Sequence, residues 1–138
     1  MDALPHWQPG TPAVLVVAGS HAIPVSTATR AGDRRLLFAL GRRRETLARL
    51  RDDPAATLCV LGQGVAFSAY GDASVLRERL ESVPVVPVEL RVDRIQDHLS
   101  DGRTDMLGAA SWRWREQRDR EADRQVGEEL RRLAGASG

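Results

Sequence analysis

The chain has 138 residues, 42% of them apolar and 28% charged, with a formal net charge of +1. That length suits one domain and that apolar share supports a packed core, so a wholly disordered chain is excluded and a polycationic nucleic-acid binder is disfavoured. The single cysteine, Cys59, excludes an internal disulfide and any site built on several thiolates.

The longest apolar runs, Ala13–Gly19 and Val83–Val88, fall far short of the ~18 residues of a membrane span. Met1–Trp7 shows neither the basic nor the apolar part of a secretion signal, so a cytoplasmic location and no membrane partner are expected. All 20 basic residues are arginine. A GC-rich genome accounts for that bias, yet it has a chemical consequence. No Schiff-base lysine exists, and any phosphate must be held by arginine forks, backbone N–H groups or hydroxyls.

In chain order, residues 1–12 read as an irregular lead-in with Pro5, Pro9 and Gly10. Ala13–Ala18 and Ile23–Arg30, separated by Gly19-Ser20-His21-Ala22, predict a β-hairpin. A turn at Ala31-Gly32-Asp33 leads to a strand at Leu36–Leu40. Leu47 and Leu50 among arginines predict a short amphipathic helix over Glu45–Arg51, stopped by Asp52-Asp53-Pro54. Strands follow at Ala56–Leu61 and Val65–Tyr70, with a bend or bulge at Gly71-Asp72. Leu76–Leu80 reads as a short helix. Val85–Ile95 alternates Val88, Leu90 and Val92 with charged residues, the pattern of a half-buried antiparallel strand. Gln96–Asp105 reads as a polar loop and Met106–Arg115 as a last strand, with Trp112 and Trp114 on one face. A C-terminal helix over residues 117–134 carries the apolar stripe Ala122, Val126, Leu130 and Leu133. The expected fold is mainly β: one small antiparallel barrel of six to seven strands with a short helix and a C-terminal helix.

Charge is uneven. Residues 30–51 hold eight arginines against Asp33 and Glu45, a local +6, while the rest of the chain sums to −5. A basic turn ahead of a helix suits an anion, and it equally suits a solvated charged face. Val25-Ser26-Thr27-Ala28-Thr29 lines hydroxyls along a strand, either to bond a polar ring edge or phosphate or from ordinary β-propensity. Trp112-Arg113-Trp114-Arg115 offers indoles for core packing, for stacking on a planar ligand or for a dimer contact. His6, His21 and His98 have no metal-ligand spacing, and Asp97-His98 in its polar loop is the best placed of them. Ser20, Ser26 and Ser68 lack a nucleophile-elbow context, and neither a P-loop nor a dinucleotide glycine motif occurs. Cys59 reads as an inert core thiol.

The order of the pieces resembles the pyridoxamine 5′-phosphate oxidase-like family, the flavin-binding split β-barrels. The resemblance rests on the Ala13 and Ile23-Pro-Val-Ser-Thr-Ala strands, on Leu36-Leu-Phe-Ala-Leu and on Thr46-Leu-Ala-Arg-Leu-Arg-Asp-Asp-Pro54. It continues through the Ala56 strand and Tyr70-Gly-Asp-Ala, and covers residues 13–115. Asp97-His98 and Trp112-Arg-Trp114 resemble actinobacterial members. The resemblance implies a homodimeric oxidoreductase with FMN, or alternatively a deazaflavin coenzyme, at the subunit interface. It implies that Val25, Ser26, Thr27 and Thr29 run along the ring and ribityl chain, and Trp112 joins them as a candidate cofactor contact. The oxidase carries an Arg-Lys pair at the helix start, where Glu45 and Thr46 stand here. The phosphate would therefore fall to Arg42, Arg43 and Arg44 with the Thr46 hydroxyl. Arg34 and Arg35, ahead of the Leu36 strand, are expected to face solvent. A small-molecule substrate is implied but not identified. The other class of reading is a binding module without turnover for a flavin, haem or other planar anion. Nucleic acid is disfavoured because the basic stretch lacks aromatics for base stacking.

Overall fold

The computed structural model describes residues 1–42 and 44–136. Seven strands form one antiparallel sheet: β1 (Ala13–Val17), β2 (His21–Val25), β3 (Thr29–Gly32), β4 (Arg35–Gly41), β5 (Ala55–Gly62), β6 (Val65–Val75) and β7 (Val85–Asp97). Two helices, α1 (Glu45–Asp52) and α2 (Gln117–Ala136), complete it. The strand order is β2-β1-β5-β6-β7-β4-β3, so the two edges are β2 and β3, neighbours in the chain. The sheet curls around its core and stays open between those edges. This is a split β-barrel with a C-terminal helix.

Period-2 alternation sets the inner face. Leu15, Leu36, Phe38, Leu58, Val60, Phe67, Val88 and Leu90 are buried together, and Leu47 and Leu50 of α1 close one end. A second, smaller core lies on the outer side of β4, where Leu37 meets Leu80, Val126, Leu130 and Ala134. The apolar stripe predicted for the C-terminal helix is what docks α2 there. Glu129, on the same face, accepts hydrogen bonds from the Glu81 and Ser82 amides at 2.8 and 2.9 Å and from the Ser82 hydroxyl at 2.7 Å. It thereby ties α2 to the loop before β7. Burial works to raise the Glu129 carboxyl, but these donors outweigh it and hold the group below its ordinary value.

The hairpin, the short helix at Glu45 and the β5–β6–β7 meander follow the sequence expectation. Four readings need correction. The predicted strand Ile23–Arg30 is interrupted: β2 ends at Val25, β3 begins at Thr29, and Ser26–Ala28 cross from one sheet edge to the other. No helix forms at Leu76–Leu80. The Leu76 and Leu80 amides instead donate to Pro87 and Val85 of β7, and Leu80 turns into the second core. β7 continues to Asp97, so the predicted polar loop starts two residues later, because Gln96 and Asp97 still pair with Ser68 and Phe67. Met106–Arg115 is no strand. It runs extended over the surface, held by the Gly64 amide on the Met106 carbonyl and by the Trp112 indole N–H on Gly10. Its Trp-Arg alternation reflects an extended chain, which needs no ladder to give period 2.

The bulge foreseen at Gly71-Asp72 is present as a register shift: Tyr70 pairs with Arg94, Gly71 with Val92, and Asp93 of β7 has no opposite residue. A Cβ on Gly71 would lie 1.9 Å from the Arg91 carbonyl oxygen, so only glycine lets β7 cross this close.

Candidate functional site

The opening of the barrel lies beside the Ser26–Ala28 crossing, and two clefts flank it. Their common wall is α2. The smaller, with a cavity volume of about 350 Å3, is lined by Val25, Ser26, Thr27, Leu40, Arg44 and Trp114 among others. The larger, about 530 Å3, runs from Pro9 and Gly10 past Ser26–Thr29 to Trp112 and the polar face of α2.

Local hydrogen bonds explain why the chain leaves the sheet here. The Thr27 hydroxyl accepts the Ala39 amide of β4 at 3.0 Å, standing in for the missing strand partner. The Thr29 hydroxyl donates to the Thr27 carbonyl at 3.0 Å, and the Trp7 indole N–H donates to the Ala28 carbonyl at 2.9 Å. Two of the three hydroxyls thus serve the crossing itself. Ser26 makes no side-chain hydrogen bond among the described residues and borders both clefts.

The basic residues separate. Arg44 borders the smaller cleft with no acidic partner among the described residues. Arg42 lies 3.8 Å from Glu78, both exposed, and does not line that cleft. Arg43 lies outside the described residues. Thr46 is buried at 1% exposure, with its hydroxyl 3.0 Å from His21 Nε2, so it is committed to the joint between β2 and α1. The structure therefore gathers Val25, Ser26, Thr27 and Arg44 in one cleft and Ser26, Thr27, Thr29 and Trp112 in the other.

Arg35 does not face solvent: it donates to Glu89 at 2.5 Å, and Glu89 is only 4% exposed. Burial tends to raise the Glu89 carboxyl, but hydrogen bonds from Arg91 and Arg35 hold it below its ordinary value. The exposed Arg34 donates to the backbone carbonyls of Asp2 and Asp93. These arginines brace the β4–β7 pair. His98 Nε2 sits 2.8 Å from the Ser68 hydroxyl, away from both clefts. Cys59 lies half-buried opposite the core, beside Val14 on β1 and Ser68 on β6.

Trp114, one of the two indoles offered for stacking, borders the smaller cleft. Sequence reasoning missed the other wall, where Arg120, Arg124, Gly127 and Arg131 border the larger. Their signal was available: positions 120, 124, 127 and 131 are one helical face. It was hidden by the electrical neutrality of residues 115–132 taken as a whole. No histidine, cysteine or tyrosine lines either cleft among the described residues. No helix among them is long and apolar enough to cross a membrane.

Solved structures carry the same architecture. A Lactobacillus delbrueckii protein assigned as a pyridoxamine 5′-phosphate oxidase superposes with a TM-score of 0.56 at 14% identity, over 70% of this chain and 95% of that one. The Group A Streptococcus protein HupZ gives 0.55 at 14% identity, over 74% and 90%. The chain has the split-barrel fold of the pyridoxamine 5′-phosphate oxidase-like proteins. A Streptomyces globisporus NADH:FAD oxidoreductase shares this split barrel, with a TM-score of 0.51 at 14% identity, over 74% of this chain and 82% of that one. No protein-family model matches the chain, and no curated protein matches its sequence.

Proposed function

We propose that this split barrel is a flavin-dependent oxidoreductase that holds FMN in the cleft beside Val25–Thr27. The observation that carries the reading is the composition of that cleft at the barrel's opening. Val25, Leu40, Val85 and Trp114 offer an apolar bed, and among the described residues the Ser26 hydroxyl has no internal partner and the Arg44 cation no acidic one. A ring system, a polar chain and a terminal phosphate match those three parts in turn. The name of the Streptomyces neighbour supports flavin chemistry on this fold. A deazaflavin coenzyme would suit the same bed.

The flavin, when bound, supplies hydride and electron transfer. The chain's own part is binding, orientation and exclusion of water. Trp114 and Val126 cover the cleft from the side of α2 and its approach. Asp119 and Asp123 are the carboxylates within reach of it. A binding module without turnover is the second reading, and the same cleft lining suits it. Oxidation of NADH by the FMN-loaded protein above the rate of free FMN decides for the enzyme; bound FMN that neither NADH nor NADPH reduces faster than free FMN favours the module.

The homodimer belongs to the same proposal. Val14 and Leu61 are 40% and 43% exposed on the outer side of β1 and β5, flanking the half-buried Cys59. An apolar sheet face of this kind is normally covered. Light scattering is expected to give twice the chain mass of 15.1 kDa, and Leu61→Glu to return it to the monomer.

The binding site is tested by titrating FMN and riboflavin against wild type and Arg44→Ala. Wild type is expected to prefer FMN, because one charge-assisted bond to phosphate contributes about 1.5–3 kcal/mol, or about ten- to a hundredfold. Arg44→Ala is expected to weaken FMN by that factor and leave riboflavin unchanged. Equal wild-type affinities for the two ligands would remove the phosphate site from this cleft.

A further inference from the structure

The larger cleft is left without an occupant by that reading. Its wall is the α2 face at positions 120, 124, 127 and 131. Arg124 is neutralised by ion pairs to Glu121 and Glu128. Arg120 has only a 3.3 Å bond to Gln117, and Arg131 has no acidic partner among the described residues. Two exposed guanidinium groups therefore stand at one cleft without an acidic partner among the described residues.

Gly127 shapes their placement. Mid-helix glycine is unfavourable by roughly 1 kcal/mol against alanine. Here a Cβ would lie 3.2 Å from Arg131 Nη1. The bare backbone lets the Arg131 head fold back along the helix by one turn, along the cleft wall.

Three further groups of the lining bear on the choice of ligand. The Trp112 ring is 43% exposed, its indole fixed by the 2.9 Å bond to the Gly10 carbonyl. Ser26 contributes its unpartnered hydroxyl, and Asp123 a carboxylate. Arginine forks match phosphate oxygens, a carboxylate accepts from ribose hydroxyls, and an indole stacks on a base. We propose that the larger cleft binds a nucleoside diphosphate, with its phosphates on Arg120 and Arg131, its ribose toward Asp123 and its base on Trp112. Ser26 and Asp123 border both clefts, and the groups that carry this proposal apart from the flavin reading are Arg120, Arg131 and Trp112.

The test is calorimetric titration of ADP into the purified full chain. Wild type is expected to bind ADP saturably. Arg120→Ala and Arg131→Ala are each expected to weaken it about tenfold or more, while Arg44→Ala leaves it unchanged. Gly127→Ala separates site from fold: it should raise the thermal midpoint while weakening ADP, because the new methyl displaces the Arg131 head. Absence of saturable binding below about 1 mM, or equal affinity in wild type and both arginine variants, would overturn the proposal. Displacement of ADP by FMN would also overturn it, since the two clefts would then be one site. Displacement by FAD but not FMN would show the nucleoside diphosphate arriving as half of a dinucleotide cofactor. Displacement by neither would show a free nucleotide. If ADP binds and FMN does not, the flavin reading fails alone.

Discussion

Gly71→Ala is expected to destabilise the protein by about 3 kcal/mol or more, a large share of the ~5–15 kcal/mol that holds a domain of this size. The added methyl would lie 1.9 Å from the Arg91 carbonyl oxygen, 2.8 Å from its carbon and 3.0 Å from Val92 Cα. All three are backbone atoms, so no rotamer change relieves the clash. β6 and β7 must part where their register shifts, and with them the longest strand pair of the sheet. Thermal denaturation should show a midpoint lower by about 10 °C or more. Gly108→Ala is the control, since nothing lies within 4 Å of its Cβ position; a change within about 0.5 kcal/mol is expected there. Equal midpoints for Gly71→Ala and wild type would mean that β7 does not cross β6 as described.

Glu129→Ala is expected to cost about 2–4 kcal/mol and to loosen the wall shared by both clefts. Three donors converge on this buried carboxylate, and bonds to a charged group contribute about 1.5–3 kcal/mol each before desolvation is subtracted. Glu129→Gln keeps one acceptor oxygen and should cost less. The pH dependence follows from the direction of the shift. A carboxyl held below its ordinary 4.5 contributes its full stabilisation above that value and loses it as pH falls through the lower folded-state value. Glu89 acts in the same sense. Wild type is therefore expected to lose stability on acidification below about pH 4.5, and Glu129→Gln to lose less over that range. Parallel stability profiles for the two proteins would remove Glu129 as the latch of α2.

How much of this was legible in the sequence depended on where the physics is local. Alternation in Val88–Val92, the Gly71-Asp72 break and the Asp-Pro stop after Arg51 each reflect one strand, one crossing or one helix end, and each was read correctly. The crossing at Ser26–Ala28 was not. Its β-branched and hydroxyl residues favour a strand, and only the distant Ala39 amide and Trp7 indole show that the chain changes edges there. Trp112 and Trp114 failed for a related reason: two side chains of an extended segment alternate whether or not a neighbouring strand pairs with it.

The candidate site was legible as a region in part, because Val25–Thr27 and Arg44 border one cleft while Arg42 lies outside it. The roles within it were not. Thr46 reads as a helix-start hydroxyl for the phosphate, yet His21, 25 residues earlier, takes it. Arg35 reads as surface charge, yet Glu89 across the sheet buries it. The α2 arginines read as a neutral solvated helix, because charge summed along a chain ignores which face each residue occupies.

The proposed flavin occupies the cleft where the chain crosses between the sheet edges. Titration of the purified protein with FMN, followed in the visible absorption bands of the ring, tests that placement. Transfer of the ring from water to the bed of Val25, Leu40, Val85 and Trp114 should shift and structure those bands, saturating at one FMN per chain. Bands identical to those of free FMN at every protein concentration would contradict the claim.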